Sequence, residues 1–253
     1  MSRTKSEREI GLIRESCRLV VETFKFIEKI LAEGMTTVEL DHEIDKFIRG
    51  FGGRPAFKGY KVNDKVFPAS SCISVESEVV HGIPGRRKLK AGEIVSVDVG
   101  VEYNDFFGDA AKTFAIGQID DLRQRLMRVT WEALYKGIEQ ARAKNRLNNV
   151  SYAIQRHVEA AGFSVVRDLV GHGVGRHLHE EPQIPNYGKP NEGPKLKPGM
   201  VLAIEPMVNA GGHEVITAED EWTVLTADKQ PSAHFEHTIV IREGEAEILT
   251  QGL

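Results

Sequence analysis

Cysteine is almost absent from this chain: Cys17 and Cys72 are the only two in 253 residues. Two thiols cannot build a disulfide framework or a thiolate metal cage, and such scarcity is usual in a reducing compartment. Long hydrophobic runs are missing too, with no stretch near the roughly 18 apolar residues that a membrane-spanning helix needs. The first residues, Met1-Ser2-Arg3-Thr4-Lys5-Ser6, carry no apolar signal core, so a cytoplasmic location is expected. Neither sign of charge dominates. Lys and Arg number 33 against 37 Asp and Glu, a formal net charge of −4, and no long basic run occurs. Nothing here offers an electrostatic footprint for nucleic acid or an anionic membrane. Hydrophobic residues at 41% and charged residues at 28% are ordinary globular proportions, sufficient for a sizeable core.

What is present is an order of elements that returns. Ile10, Ile13, Cys17, Val20, Phe24, Ile27 and Leu31 recur in steps of three and four behind Ser6-Glu7-Arg8-Glu9, a capping box followed by a long amphipathic helix. Thr36-Thr37-Val38-Glu39 opens a second helix with a stripe of Val38, Ile44, Phe47 and Ile48, stopped by Gly50 and Gly52-Gly53. Between Val66 and Phe114 the runs become short and β-branched, notably Cys72 to Val75 and Ile94 to Val99, as strands are. A helix near Asp121 to Lys144, with Leu122, Leu126, Val129, Leu134 and Ile138, then precedes another opened by Asn148-Asn149-Val150, and strands resume. No Pro/Ser-rich linker intervenes. The expectation is one α/β domain of two related halves, approximately 1–117 and 118–253, with a site at their interface drawing residues from both.

Five short motifs place an acid or an imidazole where a bland residue would be easier to accommodate. In Val95-Ser96-Val97-Asp98-Val99-Gly100 strand alternation separates the valines from Asp98. Gly108-Asp109-Ala110 follows at a spacing that suits a hairpin carrying two carboxylates, whose mutual repulsion a dication would remove. An exposed strand face is the plain alternative. Gly171-His172-Gly173-Val174-Gly175 is too glycine-rich for a stable helix, and the glycines permit close backbone approach to a ligand. A phosphate cradle is disfavoured there by the acidic Glu180-Glu181-Pro182 that follows, and His177 reads as a bystander. Glu205, before Pro206, and Glu236, in His234-Phe235-Glu236-His237, each adjoin an apolar strand; an edge-strand charge is the simple rival. His81 stands at a strand-to-turn junction, where an imidazole can act as donor or acid. Arg86-Arg87-Lys88 reads as a solvated turn. Asp98, Asp109, Glu205 and Glu236 would be neutralised by two divalent cations and self-repelling without them.

Taken together, VVHGIPG, SVDVG, GDAAKTF, GHGVGRHLHEEPQIPNYG, LAIEPM and HFEHTIVI closely resemble the type I methionine aminopeptidases, over nearly the whole chain. The resemblance implies a pita-bread fold, with two pseudo-symmetric halves and a central antiparallel sheet flanked by helices. It implies two divalent metal ions, Mn, Fe(II) or Co with Zn not excluded, held by Asp98, Asp109, His172, Glu205 and Glu236, Asp109 and Glu236 serving as bridges. His179 would stabilise the tetrahedral intermediate, His81 would meet the departing peptide nitrogen, and Glu205 could shuttle a proton. Tyr60, Cys72 and Trp222, with Phe57 and Leu178, would line the methionine pocket. Substrates would be peptides and nascent chains that begin with Met and have a small second residue, with ribosome association and a monomeric state as corollaries.

The chain departs from the family in places. Phe57 stands where bacterial relatives often have cysteine, Leu178 where an aromatic is frequent, and Glu76 where Asn is frequent. The stretch from Lys61 to Ala69 is longer than usual. The helical insertion of type II enzymes finds no room between His179 and Glu205, and the amino-terminal zinc finger of some eukaryotic relatives is not expected. Three rivals are a prolidase-type peptidase, a non-catalytic binding protein on the same fold, and a mononuclear iron oxygenase, whose site needs only one carboxylate.

Overall fold

Side-chain caps start three of the four helices among the described residues. In the computed structural model, which describes residues 4–253, Ser6 accepts from Glu9 N–H while the Glu9 carboxylate takes Ser6 N–H, opening α1, Glu7–Ile30. Thr36 and Glu39 repeat the box at α2, Thr37–Gly50. Asp120 caps α3, Asp121–Gln140, which stops short of Lys144. The start of α4, Leu147–Ala160, has no side-chain cap. Asn149 instead accepts from Asn191 N at 2.6 Å, so the asparagines of that segment brace a neighbouring loop.

The α1 stripe is buried from Ile10 to Ile27, while Leu31 forms the C-terminal cap. Leu40, Ile44 and Ile48 bury the inner face of α2, but Val38 is 44% exposed. A helix turns about 100° per residue, which sets Val38 some 200° from Leu40. Leu122 is likewise exposed in the first turn of α3, one turn before Leu126 enters the core.

Matching tethers precede α2 and α4, which have 14 residues each. Leu89 N donates to Met35 O and Thr37 N to Arg87 O, at 2.9 and 3.0 Å; Leu196 N donates to Asn145 O and Leu147 N to Pro194 O, both at 2.9 Å.

Every strand pairing among the described residues is antiparallel. A long hairpin, Ile94–Tyr103 with Phe106–Ala115, adds Cys72–Val75 along its edge. A five-stranded sheet runs in the order Glu180–Pro185, Val170–Gly173, Val201–Ile204, His237–Val240, Glu247–Ile248. Helices α1 and α2 pack on Val95, Val97, Val99 and Val101, and α3 and α4 pack on Leu202, Ile204 and Ile239.

A seam joins the hairpin to the second sheet. Thr113 Oγ1 donates to His234 O at 2.8 Å and accepts from His234 N at 2.9 Å. Glu236 N donates to Ala111 O at 2.9 Å, and Thr238 Oγ1 to Asp109 O at 2.7 Å. These buried groups are satisfied by each other, so the seam is fixed in register. No described helix is long and apolar enough to cross a membrane.

Candidate metal centre

Along Ile94–Tyr103 the valines turn to the helices and Ser96, Asp98 and Gly100 to the other face. The register pairs Asp98 with Ala111 and Gly100 with Asp109. Asp98 and Asp109 are therefore diagonal neighbours on one face, a step apart rather than directly opposed. Gly100 leaves space between them for the pocket wall: a Cβ there would lie 2.9 Å from Phe57 Cε1 and 3.0 Å from Ala56 Cβ.

His172 enters from the Val170–Gly173 strand. Its Nδ1 lies 3.0 Å from Gly173 O, which places the proton on Nδ1 and leaves the Nε2 lone pair free. That Nε2 stands 3.4 Å from Glu205 Oε1 and 3.8 Å from Asp109 Oδ2. One potential ligand atom each from Asp109, His172 and Glu236 lie within 4.8 Å of one another. The glycines around His172 are required by the strands beside them. A Cβ on Gly171 would sit 2.5 Å from Ala203 O, and one on Gly173 2.5 Å from Glu181 O. They permit close approach of neighbouring strands.

The electrostatics of the cluster are unfavourable as it stands. Burial raises Asp98, Glu205 and Glu236 well above the carboxylate range, and the neighbouring acids raise them further. Burial pushes Asp109 up to about 7. Asp98 Oδ1, Asp109 Oδ1 and Glu236 Oε1 are buried with no hydrogen-bond partner. Buried carboxylate oxygens without donors are costly, and cations among them would remove both the orphaned acceptors and the repulsion. The oxygen-rich set with one imidazole suits hard or intermediate divalent ions.

This cluster forms the floor of a cavity of about 490 Å³. Phe57, Tyr60, Phe67, Cys72 and Trp222 supply an apolar wall. Leu178 belongs to the same apolar cluster but stands behind the wall rather than on the cavity. His81, with φ 59°, is held in the left-handed region by Gly82, whose carbonyl accepts from Ile73 N and whose N–H reaches Ser74 Oγ. Burial holds its pKa down to about 4. His179 has an exposed edge and lies 2.5 Å through Nδ1 from Tyr60 OH. Desolvation, then His172 and His81, keep it below the usual imidazole range. Burial also raises the Tyr60 phenol, which stays protonated and can donate to Nδ1, leaving Nε2–H as a donor.

A model of metallopeptidase family M24 matches residues 11–243. The chain belongs to that family. Methionine aminopeptidase 1 of Bacillus subtilis is 52% identical to this M24 chain over 247 residues, 98% of each protein. The methionine aminopeptidase of Clostridium perfringens is 51% identical over 246 residues, 97% of each. The crystal structure of methionine aminopeptidase from Rickettsia prowazekii superposes with a TM-score of 0.96 at 39% identity, covering 99% of this chain and 100% of the other. A prolidase from Pyrococcus furiosus reaches 0.80 at 22% identity, and this chain spans 65% of it; that likeness concerns the fold alone.

Two further residues beside the carboxylate cluster and its cavity carry little signal in the sequence. Phe67 looked like part of a connecting stretch, and its pairing with Trp222 depends on folding. His234 is buried with Nε2 unpartnered, 3.7 Å from Glu205 Oε2. Its position two residues before Glu236, hence on one side of an extended segment, was the available signal. The Cys72 thiol is pushed well above its usual range by burial and then by Asp98, which keeps it in the unreactive protonated form.

Proposed function

We propose that this chain is a metal-dependent aminopeptidase that removes methionine from the amino terminus of peptides and nascent proteins with a small second residue. The observation that carries this reading is the set of three buried, donorless carboxylate oxygens, on Asp98, Asp109 and Glu236, clustered with His172, whose Nε2 lies 3.4 Å from Glu205 Oε1, on the floor of an apolar-walled cavity. Relatives named methionine aminopeptidase support it at about half identity over almost the full length.

In this reading Asp98, Asp109, His172, Glu205 and Glu236 would hold two divalent ions. Ions held there supply Lewis acidity, activating water and polarising the scissile carbonyl. The chain's own residues do the rest. Phe57, Tyr60, Phe67, Cys72 and Trp222 receive the methionine side chain, and exclusion of water from that wall favours an unbranched, polarisable group. Tyr60 fixes the His179 tautomer so that Nε2–H points charge stabilisation at the carbonyl oxygen. His81, neutral at pH 7, meets the departing nitrogen, and Glu205 carries the proton of the attacking water. The proposed setting is the cytoplasm, with a monomer acting on chains as they leave the ribosome.

Metal-stripped protein reconstituted with Mn, Fe(II), Co or Zn, and offered Met-Ala-Ser, Ala-Pro-Ser and N-acetylated Met-Ala-Ser, tests this. Release of Met from the free-amino peptide alone is expected. Cleavage of the Ala-Pro bond would move the chain to the prolidase-type branch. Tight metal binding without any cleavage would favour the binding-protein rival.

A further inference from the structure

Tyr60 and Phe67 close the base of a small hairpin, Lys61–Val62 against Lys65–Val66, that stands at the cavity mouth. Phe67 N donates to Tyr60 O at 2.8 Å. The base is anchored in the site, Tyr60 on His179 and Phe67 edge-on to Trp222 with ring centroids 5.3 Å apart. The arm is anchored across the mouth, where Lys65 Nζ meets Glu221 Oε1 at 2.9 Å, next to Trp222. Both partners of that ion pair are exposed, so it steadies the arm only weakly.

Side chains two apart on an extended arm share a face, so Val62 continues the wall begun by Tyr60. The register pairs Val62 with Lys65, and Lys61 with Val66 on the other face. Val62 lines the cavity and is nevertheless 45% exposed: an apolar side chain at the wall with solvent over it. A peptide with its amino group at the carboxylates and its first side chain on the aromatic wall has to leave through the mouth, beneath Val62. Its second residue flanks the scissile bond beside His81 and His179. The third is the first to clear both imidazoles and reach the hairpin.

We propose that Val62 is a specificity residue, and that the hairpin favours an apolar side chain at the third position of the peptide. The proposal rests on the aminopeptidase reading above. The test compares kcat/KM for the amides of Met-Ala-Leu, Met-Ala-Ser and Met-Ala-Asp with reconstituted enzyme. The Leu-to-Ser ratio should be about fivefold in the native chain, the scale of a partly buried aliphatic group, and fall to about one in Val62→Ser. Metal content, measured separately, should match the native protein. Val62→Thr, which keeps the side-chain shape, should lower the ratio similarly, and Lys65→Ala should lower it partway by freeing the arm. A native ratio near one, a ratio untouched by Val62→Ser, or a preference for Asp over Leu would overturn the proposal while leaving the aminopeptidase intact. Failure to cleave any of the three would remove the aminopeptidase reading and the hairpin's role with it.

Discussion

Asp109 is the residue on which most of the site converges, because its oxygens face Asp98, His172 and Glu236 and its backbone is gripped by Thr238. Asp109→Asn should therefore lose metal affinity and turnover together, as read by titration calorimetry and peptide hydrolysis; normal metal content with native activity would sink the dinuclear assignment. His179→Ala should keep its metals yet turn over about 10²–10³-fold more slowly, the usual cost of one charge-stabilising donor. An unchanged rate would remove His179 from the mechanism.

The carboxylate cluster also predicts an unusual pH response. Asp98, Asp109, Glu205 and Glu236 have folded pKa values above their unfolded ones, so they stabilise the fold when protonated and lose that stability as pH rises. His81, His172, His234 and His237 are lowered by burial to about 4 or below and act in the opposite sense, but only below about 6.5. Metal-free protein should accordingly become less stable between pH 6.5 and 8, and Mn should cancel that trend because ligands must be deprotonated to bind it. Urea melts with chelator at the two pH values decide this, and greater stability at pH 8 would contradict it. All five proposed ligands could be picked out in the sequence, since carboxylates and imidazole are conspicuous among β-branched runs. Phe67 could not, because an aromatic in such a run looks like ordinary core, and His234 was marked only by its two-residue offset from Glu236.

At the scale of elements, helices were legible where periodicity and capping agreed, as in α1, and less so where they did not. α4 starts at Leu147 without a side-chain cap, and its asparagines, which look like caps, bind a loop instead. Thr36→Ala should cost about 1 kcal/mol by removing the cap of α2, visible as a lower melting temperature. Gly173 shows a structural demand that a glycine-rich motif does not reveal in one dimension. Its flexibility reads as a ligand loop, whereas the added Cβ of Gly173→Ala would press on Glu181 O at 2.5 Å and Glu180 O at 3.0 Å. That substitution should displace the His172 strand and the neighbouring His179 segment, lowering metal affinity as well as turnover. Native metal binding in Gly173→Ala would show that the strands can part without cost to the site.

For the whole molecule, the sequence implied two related halves but not how they meet. The seam is made by hydroxyls, Thr113 and Thr238, and by backbone groups, none of which carries a pattern in one dimension. Thr238→Val would strip Asp109 O of its donor and Asp109 N of its acceptor, at an expected cost of about 1–3 kcal/mol. Denaturant unfolding measures it.

The seam has a consequence for synthesis. Asp98, Asp109, His172 and Glu205 are all translated before Glu236, and Glu236 is fixed only when its N–H finds Ala111 O on the earlier hairpin. A chain still under translation, or one severed before Glu236, holds four of the five proposed ligands and no finished site. Under this assignment activity requires synthesis to have passed Glu236, and a product interrupted earlier lacks the fifth proposed ligand.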